Sequence, residues 1–265
     1  MRRSVFLTSC LAFGYAFLYL PIMLLVVWSF NGARIVNVWG GFSTKWYGEL
    51  ARNEAFLSAA WLSLKVAATS ATAALVLGTL AAVVLVRYGR FRGRILFNGL
   101  IAAPLVMPEI ILGLAMLLMF VALEQLIGWP DGRGFATIAI AHTTVGMAYA
   151  TVVVRSRLAQ MDESLEEAAL DLGARPLKVF FLITLPVIAP SLAAAWLLAF
   201  TLSLDDVVVA QFVSGPGATT LPIEVFSSVR LGVSPQVNAL GTIIVCVVAV
   251  IILAAWRLTM VKKPG

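Results

Sequence analysis

Charge is what this chain has least of: 12% of its 265 residues are Asp, Glu, Lys or Arg, against 61% that are apolar. So thin a polar cover excludes an ordinary water-soluble domain. Histidine occurs once, at 142, and cysteine only at 10 and 246. That inventory supplies neither a metal centre nor a disulfide framework. No G-x-x-x-x-G-K-[ST] sequence is present, which excludes the usual phosphate cradle for ATP in this chain. No nucleophile, metal cluster or catalytic dyad of a membrane enzyme is visible either. The net charge of +6 is carried by loop residues spread along the chain. It is not a nucleic-acid footprint, and no nucleic acid is expected as a partner.

What is present is apolar length. Six runs, about 5–30, 62–86, 95–123, 135–154, 187–213 and 237–258, exceed the roughly 18 to 20 residues that cross a bilayer. They do not alternate, which excludes the short strands of a membrane barrel. The expected fold class is all-α: a polytopic membrane protein with six transmembrane helices, one transmembrane domain over residues 1–265. Arg2 and Arg3 ahead of the first run imitate a signal peptide, but the run is too long and no small-residue cleavage site follows it. An uncleaved first span is expected. Cys10 and Cys246 fall within spans and read as small packing residues.

Basic residues orient the chain. Arg2, Arg3, Arg87, Arg90, Arg92, Arg94, Arg155, Arg157, Arg175, Lys178, Arg257, Lys262 and Lys263 all belong to one side, against Arg34, Lys45, Arg52, Arg133 and Arg230 on the other. The positive-inside rule then predicts both termini, and the loop 155–186, in the cytoplasm. On the outer side, residues 43–50 read as a short helix opened by a Ser or Thr cap. Trp39, Trp46 and Tyr47 there fit an aromatic belt or a lip at a pore mouth. Residues 214–236 read as a Gly-Pro-Gly turn and a short irregular or helical piece ending at Pro235.

Three carboxylates stand inside predicted spans, where an acid costs about 2.5 to 3.5 kcal/mol and normally faces a cavity or a partner. Glu109 lies near the middle of the third span, directly after Pro108. Asp205 and Asp206 lie in the fifth, at a shallower depth. Neighbours on a helix point about 100° apart, so the two are not expected to face one spot. No Lys or Arg lies at matching depth, which leaves all three acids unpaired until a cation arrives. The alternatives are a cation route with acids at staggered depths, or interhelical hydrogen bonding. His142, beside Thr143 and Thr144, reads as a hydrogen-bonded interior histidine or a proton relay.

The longest charged loop, Asp162 to Pro186, carries five carboxylates, a glycine and two prolines. Leu165, Ala168, Ala169 and Leu172 recur at i, i+3, i+4 and i+7, with Glu163, Glu166, Glu167 and Asp171 mostly elsewhere, which predicts a short amphipathic helix. Gly173 supplies a C-cap, and Pro176 delays the next helix. An interfacial helix lying on lipid would carry Lys and Arg on its polar face; acids there favour a soluble partner.

Glu167-Ala168-Ala169, then Gly173, then Ile183-Thr184-Leu185-Pro186, resemble the EAA signature of ABC importer permeases, with seven positions at fixed spacing ahead of the penultimate span. Ala103-Pro104-Leu105-Val106-Met107-Pro108-Glu109, Phe200 through Asp206 and Phe212 through Gly217 resemble the spermidine/putrescine branch of that family, its second permease subunit in particular. The resemblance implies a type I importer in the bacterial inner membrane. Two related permeases pair as a heterodimer, two cytoplasmic ATPase subunits dock beneath, and a periplasmic polyamine-binding protein delivers cargo. ATP and Mg belong to the ATPase subunits, so no cofactor is expected in this chain. Leu165, Glu167, Ala168, Ala169, Asp171, Gly173, Ile183, Leu185 and Pro186 are implied as the ATPase-coupling segment. Glu109, Ser203, Asp205, Asp206 and Trp46 are implied as the substrate path. Another cargo such as ferric iron fits the same architecture. An ion-coupled secondary transporter would use the acids for protons but leaves the EAA pattern unexplained.

Overall fold

Among the residues that this computed structural model describes (5–34, 38–230 and 235–261), the chain is helical, with one isolated β-bridge between Asn31 and Phe42. Arg2, Arg3, Lys262 and Lys263 of the charge asymmetry lie outside the described residues. Two compact units are present, one formed by Ser58–Glu224 and the other by Met1–Leu57 with Val225–Gly265.

In the unit built from the chain ends, α1 (Val5–Ser29) packs along α12 (Pro235–Val261), which also meets α2 (Lys45–Leu50). Asn31 organises the turn after α1. Its Oδ1 accepts the N–H groups of Ala33 and Gly40, its Nδ2 donates to the Val38 carbonyl, and its own carbonyl accepts the Trp46 indole N–H at 2.6 Å. No residue in the apolar window of α1 is buried, as suits a helix whose surroundings are lipid rather than a packed core. Cys10 and Cys246 are exposed, so they are not the internal packing residues expected from their place in the spans. Thr44 stands at the cap of α2 without a capping bond, and Ser43 Oγ accepts the Lys45 N–H at 3.3 Å instead.

The unit Ser58–Glu224 is centred on α3 (Glu54–Arg87), α6 (Phe135–Ala159) and α9 (Leu185–Asp205). Small residues let these backbones close. A Cβ added to Gly78 would stand 2.8 Å from Ala150 Cβ, and one on Gly146 3.0 Å from Ala74 Cβ and 3.3 Å from Ala199 Cβ. Lipid gives helices no hydrophobic reason to associate, so close van der Waals contact of this kind holds them. A larger cluster of Met116, Phe120, Ile138, Val209 and Val213 joins α5 (Glu109–Ile127), α6 and α10 (Val208–Val213). The Thr137 hydroxyl ties α6 to the end of α10 by donating to the Val213 carbonyl at 2.7 Å.

Among the described residues, five helical stretches are long and apolar enough to cross a membrane: Phe6–Ser29, Glu54–Arg87, Glu109–Ile127, Phe135–Ala159 and Pro176–Asp205. They fall on the first five expected spans, and α12 falls on the sixth. Two expected spans are broken. The run 95–123 divides into α4 (Arg94–Val106) and α5, because Pro108 has no N–H to continue a helix and drives Met107 extended, at ψ 138°. The run 187–213 divides into α9 and α10, with Asp206 extended between them at ψ 128°. Pro235 opens α12 instead of closing the preceding piece, α11 (Leu221–Arg230).

Ahead of α9 the helical run begins at α8 (Pro176–Val179) and widens into a π-turn at Phe180–Thr184, where the Leu185 N–H reaches the Phe180 carbonyl. Pro186 accounts for the widening. It offers no N–H to the Leu182 carbonyl, and its ring crowds that carbonyl.

Candidate functional site

Both helix breaks face one cavity of about 550 Å³ within the unit Ser58–Glu224. Glu109, Ser203, Asp205 and Asp206 all line it, with Pro104, Pro108, His142 and Tyr149 among the rest of the wall. Glu109 occupies the first turn of α5, where free N–H groups and the helix dipole favour a carboxylate. Asp205 is the last residue of α9 and Asp206 already lies outside it. The 100° separation of helical neighbours therefore does not apply, and all three acids line one cavity.

Asp206 is also not the unpaired acid the sequence implies. Its Oδ2 accepts the Ala210 N–H at 2.7 Å and lies 3.2 Å from His142 Nε2, and its Oδ1 accepts the Val209 N–H at 3.3 Å. The His142 side chain is 3% exposed. Its Nδ1 is 2.6 Å from Ser203 Oγ, which in turn receives the Ser70 hydroxyl at 3.1 Å. Ser70, Ser203, His142 and Asp206 thus form one hydrogen-bonded row. His142 is therefore a hydrogen-bonded interior histidine. Glu109 and Asp205, by contrast, are exposed to the cavity, and neither pairs its side chain with another described residue.

Trp46 is not among the lining residues. It is buried in the other unit, its indole committed to Asn31, with the Lys45 Nζ 4.4 Å from its ring centroid.

The acidic loop forms α7 (Ser164–Asp171). Asp162 precedes it, and the Ser164 N–H and hydroxyl hold the Asp162 carboxyl below the usual carboxylate range. At the other end Gly173 adopts φ 83°, while the Ala174 N–H reaches the Ala169 carbonyl and the Gly173 N–H the Leu170 carbonyl. This double closure is the Schellman stop that Gly173 predicts. Pro176 keeps the helix from resuming at once, with Arg175 extended at ψ 146° before it, and takes the first position of the next helix. No residue of α7 is buried; Leu165 is 48% and Leu172 90% exposed, and Glu167, Ala168 and Asp171 also face outward. Ile183, Leu185 and Pro186 belong to the helical run that becomes α9, not to a loop.

Two of the acids in this segment are held. Arg87, at the end of α3, places Nη1 2.7 Å from Glu163 and Nε 2.9 Å from Glu166. Glu166 also accepts the Thr184 hydroxyl at 2.5 Å. The clamp thereby joins α3, α7 and the π-turn. Helical spacing puts Glu163 and Glu166 on the polar face of α7, but their partner lies 76 residues upstream of Glu163 and leaves no mark in the local sequence. The pairing of His142 with Asp206 had a faint signal, since a buried acid needs a partner and His142 is the chain's one histidine.

Residues 74–260 match the family described as binding-protein-dependent transport system inner membrane component. The chain is 59% identical over 256 residues to the putrescine transport system permease protein PotI of Escherichia coli (strain K12), covering 97% of this chain and 91% of that protein. It is 41% identical over 265 residues to the spermidine/putrescine transport system permease protein PotC of the same organism, covering 100% of this chain and 96% of that one. Its fold is similar to a chain in the crystal structure of a bacterial alginate ABC transporter in complex with an alginate pentasaccharide-bound periplasmic protein. The TM-score there is 0.72 at 15% identity, over 98% of this chain and 94% of the other.

Proposed function

The chain belongs to the inner membrane components of binding-protein-dependent transport systems, and from that premise we propose that it is the permease subunit of an ATP-driven polyamine importer, with putrescine the first cargo and spermidine the second. The observation that carries the cargo is the cavity in which Glu109 and Asp205 stand unpaired beside Asp206. An extended diamine bears two separated ammonium groups, and carboxylates on opposite helix breaks complement that shape and charge. Irregular backbone at membrane depth is tolerated where it lines such a cavity. The proposed route rests on Glu109, Asp205, Asp206 and Ser203. Trp46, already committed to Asn31, is left to hold the outer segment together.

In this reading both termini are cytoplasmic and six spans cross the inner membrane. A related permease pairs with the chain, two ATPase subunits carrying ATP and Mg dock beneath, and a periplasmic polyamine-binding protein delivers cargo. The exposed face of α7, with Leu165, Glu167, Ala168 and Asp171 and the half-buried Ala169 beside them, seats in an ATPase subunit. Closure of the ATPase pair pushes α7, and the run from Ile183, Leu185 and Pro186 into α9 carries the displacement toward the cavity. Labelled putrescine uptake by the whole importer in proteoliposomes tests the route. The double variant Glu109→Gln, Asp205→Asn is expected to lower uptake to about a tenth or less with the complex still assembled and hydrolysing ATP. Unchanged uptake contradicts the reading.

A further inference from the structure

Asp205 and Asp206 are chemically identical neighbours on one cavity, yet the chain holds them in different ways. The Asp206 carboxylate has three donors, the N–H groups of Val209 and Ala210 and the imidazole Nε2 of His142. Its side chain is 14% exposed. Asp205 has no such partner among the described residues and is exposed, as is Glu109. A carboxylate already serving three donors has little acceptor capacity left for an ammonium group, and giving up a bond would leave a buried donor unsatisfied.

We propose that His142 is a positioning residue that divides the labour of the two aspartates: it fixes Asp206 as the anchor of the break between α9 and α10, and leaves Asp205, with Glu109, to receive the ammonium groups. This rests on the polyamine route above and refines which of its acids touch cargo. The row behind His142 supports the assignment. Ser203 is buried and bonded to Nδ1, and the buried Ser70 hydroxyl donates to Ser203, so the imidazole is held at both ring nitrogens and cannot turn away from Asp206 without breaking a bond. Asp206 is then held at the point where α9 ends, and α10 starts from N–H groups that its carboxylate has accepted. Tyr149 of α6 and Glu109 of α5 also line the cavity, and neither is hydrogen-bonded to His142 or Asp206.

The test is the KM and maximal rate of putrescine uptake in the assembled importer. Glu109→Gln and Asp205→Asn are each expected to raise KM about tenfold with the maximal rate within about twofold, as lost charge partners of cargo should. Asp206→Asn and His142→Ala are expected to lower the maximal rate while KM stays within about twofold, and the double variant to be no worse than either alone, since both break one contact. His142→Gln, whose amide can still donate to Asp206, is expected to recover at least about half of the rate lost in His142→Ala. Equal rises of KM in Asp205→Asn and Asp206→Asn overturn the division while leaving the route intact. No change in either Glu109→Gln or Asp205→Asn overturns the route, and the division with it. Should Asp206→Asn fail to assemble, the histidine pair decides: a raised KM in His142→Ala that glutamine does not relieve overturns the proposal.

Discussion

Single glycines decide two things in this molecule, where α7 stops and how closely α3, α6 and α9 approach. Gly173 sits at φ 83°, a conformation that costs an L-residue about 1 to 2 kcal/mol. Gly173→Ala should therefore loosen α7, seen as a lower yield of co-purified ATPase subunits with the membrane fold unchanged. Gly146 fails for a different reason, because its missing side chain is the space occupied by Ala74 and Ala199. Gly146→Val overpacks that contact, and a loss of about 1 to 3 kcal/mol is expected as a lower melting temperature of the detergent-solubilised complex. At this scale the sequence is partly legible. Carboxylates in apolar runs announce themselves, so Glu109, Asp205 and Asp206 stand out by their residue type and position alone. Gly173 is legible through its place after an amphipathic stripe. The state of each acid is not, because the donors to Asp206 are backbone groups freed only by the end of α9 and a histidine 64 residues away.

Elements carry the link between the two functional regions. Arg87 binds Glu163 and Glu166, and Glu166 binds Thr184 in the π-turn, so α7 is fastened both to the end of α3 and to the run that becomes α9. In the proposed mechanism a push on α7 is passed to the cavity through α9. Arg87→Ala should lower the number of putrescine molecules moved per ATP about five- to thirty-fold, the range of a 1 to 2 kcal/mol coupling, with ATPase subunits still bound. The comparison of transport and hydrolysis rates in one preparation checks this. The placing of most apolar elements follows from apolar length, and the expected spans overlap the described helices. The breaks are another matter. Met107-Pro108 carries a readable stop, because the residue before proline avoids the helical region. Leu204-Asp205-Asp206-Val207 has no proline or glycine, and an averaged apolar window runs straight through it. The second break is stabilised by tertiary contacts, Thr137 to Val213 and Asp206 to His142, and these have no local signature.

For the whole molecule, the proposed function places a force-receiving helix and a cation-complementary cavity on one stretch of chain, about thirty-four residues apart by sequence from Asp171 to Asp205. In that reading neither works alone: the chain carries no phosphate cradle of the usual kind, and the partner ATPase subunits supply the energy. The most direct measurement is putrescine accumulation in proteoliposomes holding this chain, its partner permease and the ATPase subunits, supplied with the loaded binding protein. The account predicts accumulation against a gradient only when ATP and every subunit are present, with spermidine a weaker cargo and ferric iron none. Accumulation driven by a proton gradient with this chain alone, or ATP-dependent uptake of ferric iron in place of putrescine, would contradict it.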